Sequence, residues 1–224
     1  MPLVMPKILQ PVPAPSFERI ILSIGRIDYT KGTREMLLAY EQLLEQREDL
    51  RGKVRLCVTS VAPAAGIRAF DDVREDVERR VGSINGRFST SEWSPILFFT
   101  SPIHFSEPIA WCRAADICRI TPLRDGLNLV VKEYVAARQG LPGVVVLSEF
   151  AGAAIELYEA ILTHPYSSRN MVAAISRAID LPEADARAQI EALNLRVRAH
   201  NLSAWTQEML EFLKADPSGH DSPR

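Results

Sequence analysis

The sequence predicts an α/β protein built on a doubly wound, Rossmann-like parallel sheet, and three observations carry that expectation. Short, nearly unbroken apolar runs recur at residues 20–24, 54–58, 96–99, 117–120, 144–147 and 160–162. Runs without polar alternation are what strands buried on both faces of a parallel sheet require. Helical patterns separate the runs, and alternating β and α elements close most readily into an open sheet covered on both faces. The 224 residues are 47% hydrophobic and 24% charged, enough apolar material for a core without a metal or disulfide staple.

Each crossover has its own signal. In 33–44, Met36, Leu37, Tyr40, Leu43 and Leu44 fall on one stripe of a helix. Residues 71–81 repeat the pattern with far more charge and read as a surface helix. Residues 106–115, 128–138, 151–157 and 169–178 supply the remaining crossovers, and helices at 184–200 and 202–213 follow with no strand between them. The string Ser83-Ile84-Asn85-Gly86-Arg87-Phe88 carries turn chemistry at Asn85-Gly86. The proline-rich residues 1–16 read as an extended lead-in, 17–214 as the folded domain, and 215–224 as a flexible tail.

Composition removes several function classes. Lys plus Arg is 26 against 28 for Asp plus Glu, a formal charge of -2, which argues against nucleic-acid binding. No apolar run reaches the roughly 18 residues of a membrane span, and the proline-rich start does not read as a secretory signal. A cytoplasmic protein without membrane attachment is expected. Cys57, Cys112 and Cys118 form no CxxC pair and sit in apolar surroundings, so buried free thiols are expected. His104, His164, His200 and His220 have no ligand spacing, and neither a metal site nor a cofactor is expected.

Three segments can carry chemistry. In Ser23-Ile24-Gly25-Arg26-Ile27-Asp28-Tyr29-Thr30-Lys31-Gly32-Thr33, placed just past the first strand and before a helix, two glycines permit close backbone approach and two cations can neutralise a diphosphate. The plain alternative is a basic loop that pairs with nearby acids such as Asp28. It is neither a Walker loop nor a GxGxxG turn. In Thr121-Pro122-Leu123-Arg124-Asp125-Gly126-Leu127-Asn128-Leu129, a tight turn opens a helix whose N–H groups can accept phosphate, and Glu133 further along can hold ribose hydroxyls. Here the alternative is a capping Asp125 and a solvated Glu133. In Leu147-Ser148-Glu149-Phe150-Ala151-Gly152-Ala153-Ala154 the small residues serve tight packing or approach to a ligand.

The segments GRIDYTKGT, INGRF, TPLRDGLNLVVKEYVAAR and VVVLSEFAGAA occur in this order over about residues 20–213. They resemble the carboxyl-terminal half of the trehalose-6-phosphate synthase family, retaining glycosyltransferases of the two-Rossmann-domain GT-B type. The resemblance implies metal-free transfer from a nucleotide-glucose donor. It implies that Arg26 and Lys31 hold the donor diphosphate and stabilise the leaving nucleotide. Asp125 takes glucose hydroxyls with backbone groups of Gly126, Leu127, Asn128 and Leu129, Glu133 takes the ribose, and residues 100–103 frame the base. Arg26, Lys31 and Asp125 are then the catalytic set, in a route of same-face attack whose proton passes to the donor phosphate.

Two departures matter. The family's acceptor-phosphate arginine, after the second strand, corresponds here to Ala64. That loop and GRIDYTKGT look more like the glucosylglycerol-phosphate synthase branch, which implies ADP-glucose as donor, glycerol 3-phosphate as acceptor and a place in osmolyte synthesis, with Arg68 as a substitute acceptor ligand. Trehalose-6-phosphate synthesis from glucose 6-phosphate is the alternative. Nothing in the chain matches the family's amino-terminal domain. Beside the glucosyltransferase reading stands an alternative of another class, a donor-binding half inactive alone. It is either a gene fragment lacking its amino-terminal half or a subunit that needs a partner, a homo-oligomer being one form. A regulatory or interaction module without a ligand is the third class, and it would not need Arg26, Lys31, Asp125 and Glu133 together.

Overall fold

The computed structural model describes residues 19–61, 68–100 and 107–215. Six parallel strands, β1 (Arg19–Arg26), β2 (Val54–Val61), β3 (Ile96–Phe99), β4 (Ile117–Ile120), β5 (Val144–Ser148) and β6 (Ile161–Thr163), form one sheet in the order β3-β2-β1-β4-β5-β6. The order reverses between β1 and β4, so the loops after these two strands diverge and leave a crevice at their carboxyl ends. All six expected strands are present. β1 runs on through Gly25 and Arg26, which pair with Ser60 and Val61, so Arg26 ends a strand and does not lie in a loop.

The period of two along each strand divides the core. Ile21, Leu56, Ile117 and Val146 point to one face, under α1 (Thr33–Gln46), α2 (Arg68–Phe88) and α5 (Ser168–Asp180). Leu22, Cys57, Cys118 and Val145 point to the other, under α3 (Glu107–Ala114), α4 (Leu129–Ala137) and α6 (Glu183–Ala199). Helix α7 (Leu202–Ala215) follows α6 with no strand between, as expected. The three cysteines are free and buried. Burial pushes the thiols of Cys57 and Cys112 up to about 12 and about 11, which makes them poor nucleophiles. No described helix is long and apolar enough to cross a membrane.

Two local expectations fail. Asn85-Gly86 is no turn: α2 continues through both to Phe88. Val77, Val81, Ile84 and Phe88 extend its buried stripe, and that burial outweighs the roughly 1 kcal/mol a helical glycine costs. Asn85 instead uses its side chain on the edge strand, donating from Nδ2 to Ile96 O and accepting at Oδ1 from Ile96 N, both at 3.0 Å. Residues 151–157 form no α-helix but a single 3-10 turn, Gly152–Ile155. The amides of Gly152 and Ala153 bond the carbonyls of Asp125 and Leu127, and Ala151 bridges Asp125, so this backbone serves the neighbouring loop. The lead-in 1–16 and residues 216–224 lie outside the described residues.

Candidate functional site

At the carboxyl ends of β1 and β4 a shallow open cleft is walled by Ser23 and Gly25 of β1, Ser60 of β2, Thr121 beyond β4, and Lys31 and Asn128 from the loops above. The loop after β1 is held from within. Asp28 accepts from Thr30 N at 2.8 Å and Thr30 Oγ1 at 2.9 Å, capping a 3-10 turn over Tyr29–Lys31. Asp28 therefore serves its own turn and leaves Lys31 to another partner. Gly32 then adopts φ 66°, and a Cβ there would lie 2.6 Å from the Thr121 carbonyl oxygen. Both facts demand glycine at this position. Leu123 N donates to Thr30 O at 2.8 Å, fastening the loop after β1 to the loop after β4.

The loop after β4 is fastened on its other side. A Cβ at Gly152 would collide with the Gly126 carbonyl, so the small residues of the third motif serve close loop-to-loop packing. Lys132 on α4 pairs with Glu156 beyond the 3-10 turn at 2.6 Å, a further clasp between these segments.

Within this frame Lys31 Nζ reaches Asp125 Oδ2 at 2.7 Å, and Asn128 Nδ2 donates to the same oxygen at 3.0 Å. Partial burial drives the Asp125 carboxyl upward, but the bonds from Lys31 and Asn128 outweigh it and hold the group below the ordinary carboxylate range. Asp125 is thus an anion at neutral pH. Asn128 Oδ1 accepts from Val131 N at 3.2 Å and caps α4. The positive end of that helix faces the cleft beside the Lys31 ammonium, and the two together suit an anion.

The sequence-derived candidates divide into two groups. Lys31, Asp125 and Asn128 meet, while Arg26, Gly126, Leu127, Leu129 and Glu133 face solvent around them. Among the described residues, the side chains of Arg26 and Glu133 make no hydrogen bond or ion pair. Arg68 opens α2, and its side chain, with Ala64 and residues 101–103, lies outside the described residues. Sequence reasoning missed Ser60, whose signal was a polar residue just past a buried apolar run, where a parallel strand meets its crevice. The buried Thr121 Oγ1, also at the cleft, has no partner among the described residues.

Residues 14–215 match Glycosyltransferase family 20. The chain is 44% identical over 199 residues to a glucosylglycerol-phosphate synthase of Synechocystis sp., covering 89% of this chain and 40% of that protein. It is 37% identical over 201 residues to a trehalose-6-phosphate synthase of Sodalis glossinidius, covering 89% and 43%. Among solved structures, a UDP-forming alpha,alpha-trehalose-phosphate synthase from Burkholderia xenovorans in complex with glucose-6-phosphate superposes with a TM-score of 0.84 at 39% identity, over 88% of this chain and 44% of that one. The chain spans less than half the length of each of these proteins.

Proposed function

We propose, from the fact that the chain belongs to glycosyltransferase family 20, that it is the donor-binding half of a retaining glucosyltransferase. The donor is a nucleotide-glucose, with ADP-glucose expected, and the acceptor is glycerol 3-phosphate. The observation that carries the reading is the convergence of the Lys31 ammonium, the Asp125 carboxylate and the α4 N-terminus on one cleft at the point where the strand order reverses.

The chemistry follows from the charges. In the transferring step the bond from the glucose anomeric carbon to the diphosphate oxygen breaks, and a bond to the acceptor hydroxyl oxygen forms on the same face. The hydroxyl proton passes to the departing phosphate. Negative charge grows on the diphosphate, so a cation and a row of backbone N–H groups aimed there lower the barrier without a protein base. Lys31 fills that role, and Arg26 at the end of β1 joins it when the diphosphate arrives. The diphosphate competes with Asp125 for Lys31, freeing carboxylate lone pairs for glucose hydroxyls. Glu133 lies farther along α4, on the side assigned to the ribose.

The choice of glycerol 3-phosphate rests on the identity to the Synechocystis relative and on Ala64 in place of an arginine. Glucose 6-phosphate is the alternative acceptor, supported by the trehalose-phosphate synthases among the relatives. Calorimetry on the chain with ADP, UDP and their glucose conjugates tests the donor. Tighter binding of ADP-glucose is expected, and absence of binding by all four overturns the donor-half reading. For the acceptor, the chain joined to the amino-terminal portion of the Synechocystis relative is offered glycerol 3-phosphate and glucose 6-phosphate, with nucleotide release measured. Faster release with glucose 6-phosphate overturns the choice. A chain that binds ADP-glucose but releases nothing until so joined is the donor-binding half inactive alone.

A further inference from the structure

We propose that the Asn128 side chain is a positioning residue of the donor site: it sets the Asp125 carboxylate, and through it the Lys31 ammonium, besides capping α4. The inference rests on reading the cleft as a donor site.

Capping alone does not explain the backbone here. Asp28 and Ser167 also cap turns or helices with their side chains, and both do so from extended conformations, φ -154° and -114°. Asn128 caps from φ 68°, ψ 90°, and it is the only non-glycine residue with positive φ among the described residues. A side chain in that region is strained, and such strain persists where surrounding contacts over-determine the residue.

Those contacts use both ends of the amide. Oδ1 takes the Val131 N–H, and Nδ2 donates to Asp125 Oδ2, the oxygen that also receives Lys31 Nζ. Two donors on one carboxylate oxygen fix its rotation about the Cβ–Cγ bond, and that rotation fixes where the ammonium rests. Asparagine alone supplies all three requirements: tolerance of the left-handed region, an acceptor and a donor. Glycine would relieve the backbone and lose both contacts. Aspartate would keep the cap and place a second carboxylate against Asp125.

Asn128→Asp and Asn128→Gly separate these roles. Asn128→Asp retains the cap acceptor and stays folded, its thermal midpoint at neutral pH lowered only by the repulsion between the two carboxylates. In chain labelled with 13C at aspartate carboxyl carbons, the Asp125 resonance, assigned through Asp125→Asn, titrates at higher pH in both variants, more so in Asn128→Asp, where two carboxylates face each other. ADP binds about tenfold more weakly to each variant, the scale of one lost hydrogen bond to a charged group. An unmoved Asp125 titration in Asn128→Asp shows the amide to be only a cap and overturns the proposal. A moved titration with unchanged ADP affinity overturns its part in the donor site. Absence of ADP binding by the parent chain sinks the donor reading instead, and the titration, which needs no ligand, still decides whether Asn128 governs Asp125.

Discussion

Lys31 keeps 23% of its side chain in solvent and pairs with Asp125 at 2.7 Å. Arg119, on β4 and two residues before Thr121, is fully enclosed. Arg119 donates from Nη1 to the Met36 carbonyl at 3.1 Å and from Nη2 to the Met171 sulfur at 3.4 Å, while its buried Nε has no partner among the described residues. Among the described residues no carboxylate answers its charge, and burial pushes its pKa down to about 9. One cation sits at a cleft with a partner that an incoming anion can displace. The other is sealed between α1, α5 and the sheet, where a weak sulfur acceptor and a helix carbonyl stand in for water. Burial therefore separates a charge left within reach of the cleft from a charge enclosed in the core.

Substitution breaks this contrast most sharply at Lys31. Lys31→Ala is expected to weaken ADP binding about a hundredfold, the scale of a lost charge-assisted contact to phosphate, read by calorimetry. Its effect on stability is small, about 0–1 kcal/mol by urea unfolding, because a partly exposed ion pair contributes little. Arg119→Met is expected to do the reverse. Removing a buried charge that has no counter-ion among the described residues, in favour of an apolar side chain beside Met36 and Met171, raises unfolding free energy by about 2 kcal/mol. ADP affinity stays at the parent value. Loss of ADP binding in Arg119→Met, or strong destabilisation, would show that the buried guanidinium is no passive passenger.

How far these features were legible follows from their range. Strands such as 144–147 announce themselves because burial on both faces leaves a continuous apolar run, and the basic loop between β1 and α1 stands out for the same local reason. The extent of α2 was hidden. Asn85-Gly86 is a turn signal taken by itself, and only the distant edge strand, through Ile96, gives Asn85 another use. Residues 151–157 likewise look helical until Gly152 meets Gly126 across the loops. At the site, Lys31, Asp125 and Asn128 were each visible as candidates. Their convergence on a single oxygen was not, because Lys31 and Asp125 are 94 residues apart in sequence and the fold alone joins them. The positive φ of Asn128 leaves no mark in the string Gly-Leu-Asn-Leu.

The smallest expected effect refines the account of Lys31 and Asp125 through pH. Asp125 has a folded-state pKa below its unfolded value of about 3.9, so its stabilising contribution is fully present above that value and is lost as pH falls through the folded pKa. Across neutral pH the pair contributes a constant amount. The parent chain and Asp125→Asn should therefore show a stability difference that is flat from about pH 6 to 8 and shrinks only in the acid range below about pH 4, by roughly 0.5 kcal/mol. Urea unfolding at a series of pH values measures this directly. A difference that instead changed near neutral pH would mean that Asp125 is not held as an anion by Lys31 and Asn128. The pair at the cleft would then have to be rebuilt around a protonated carboxyl, which gives the Lys31 ammonium no counter-charge.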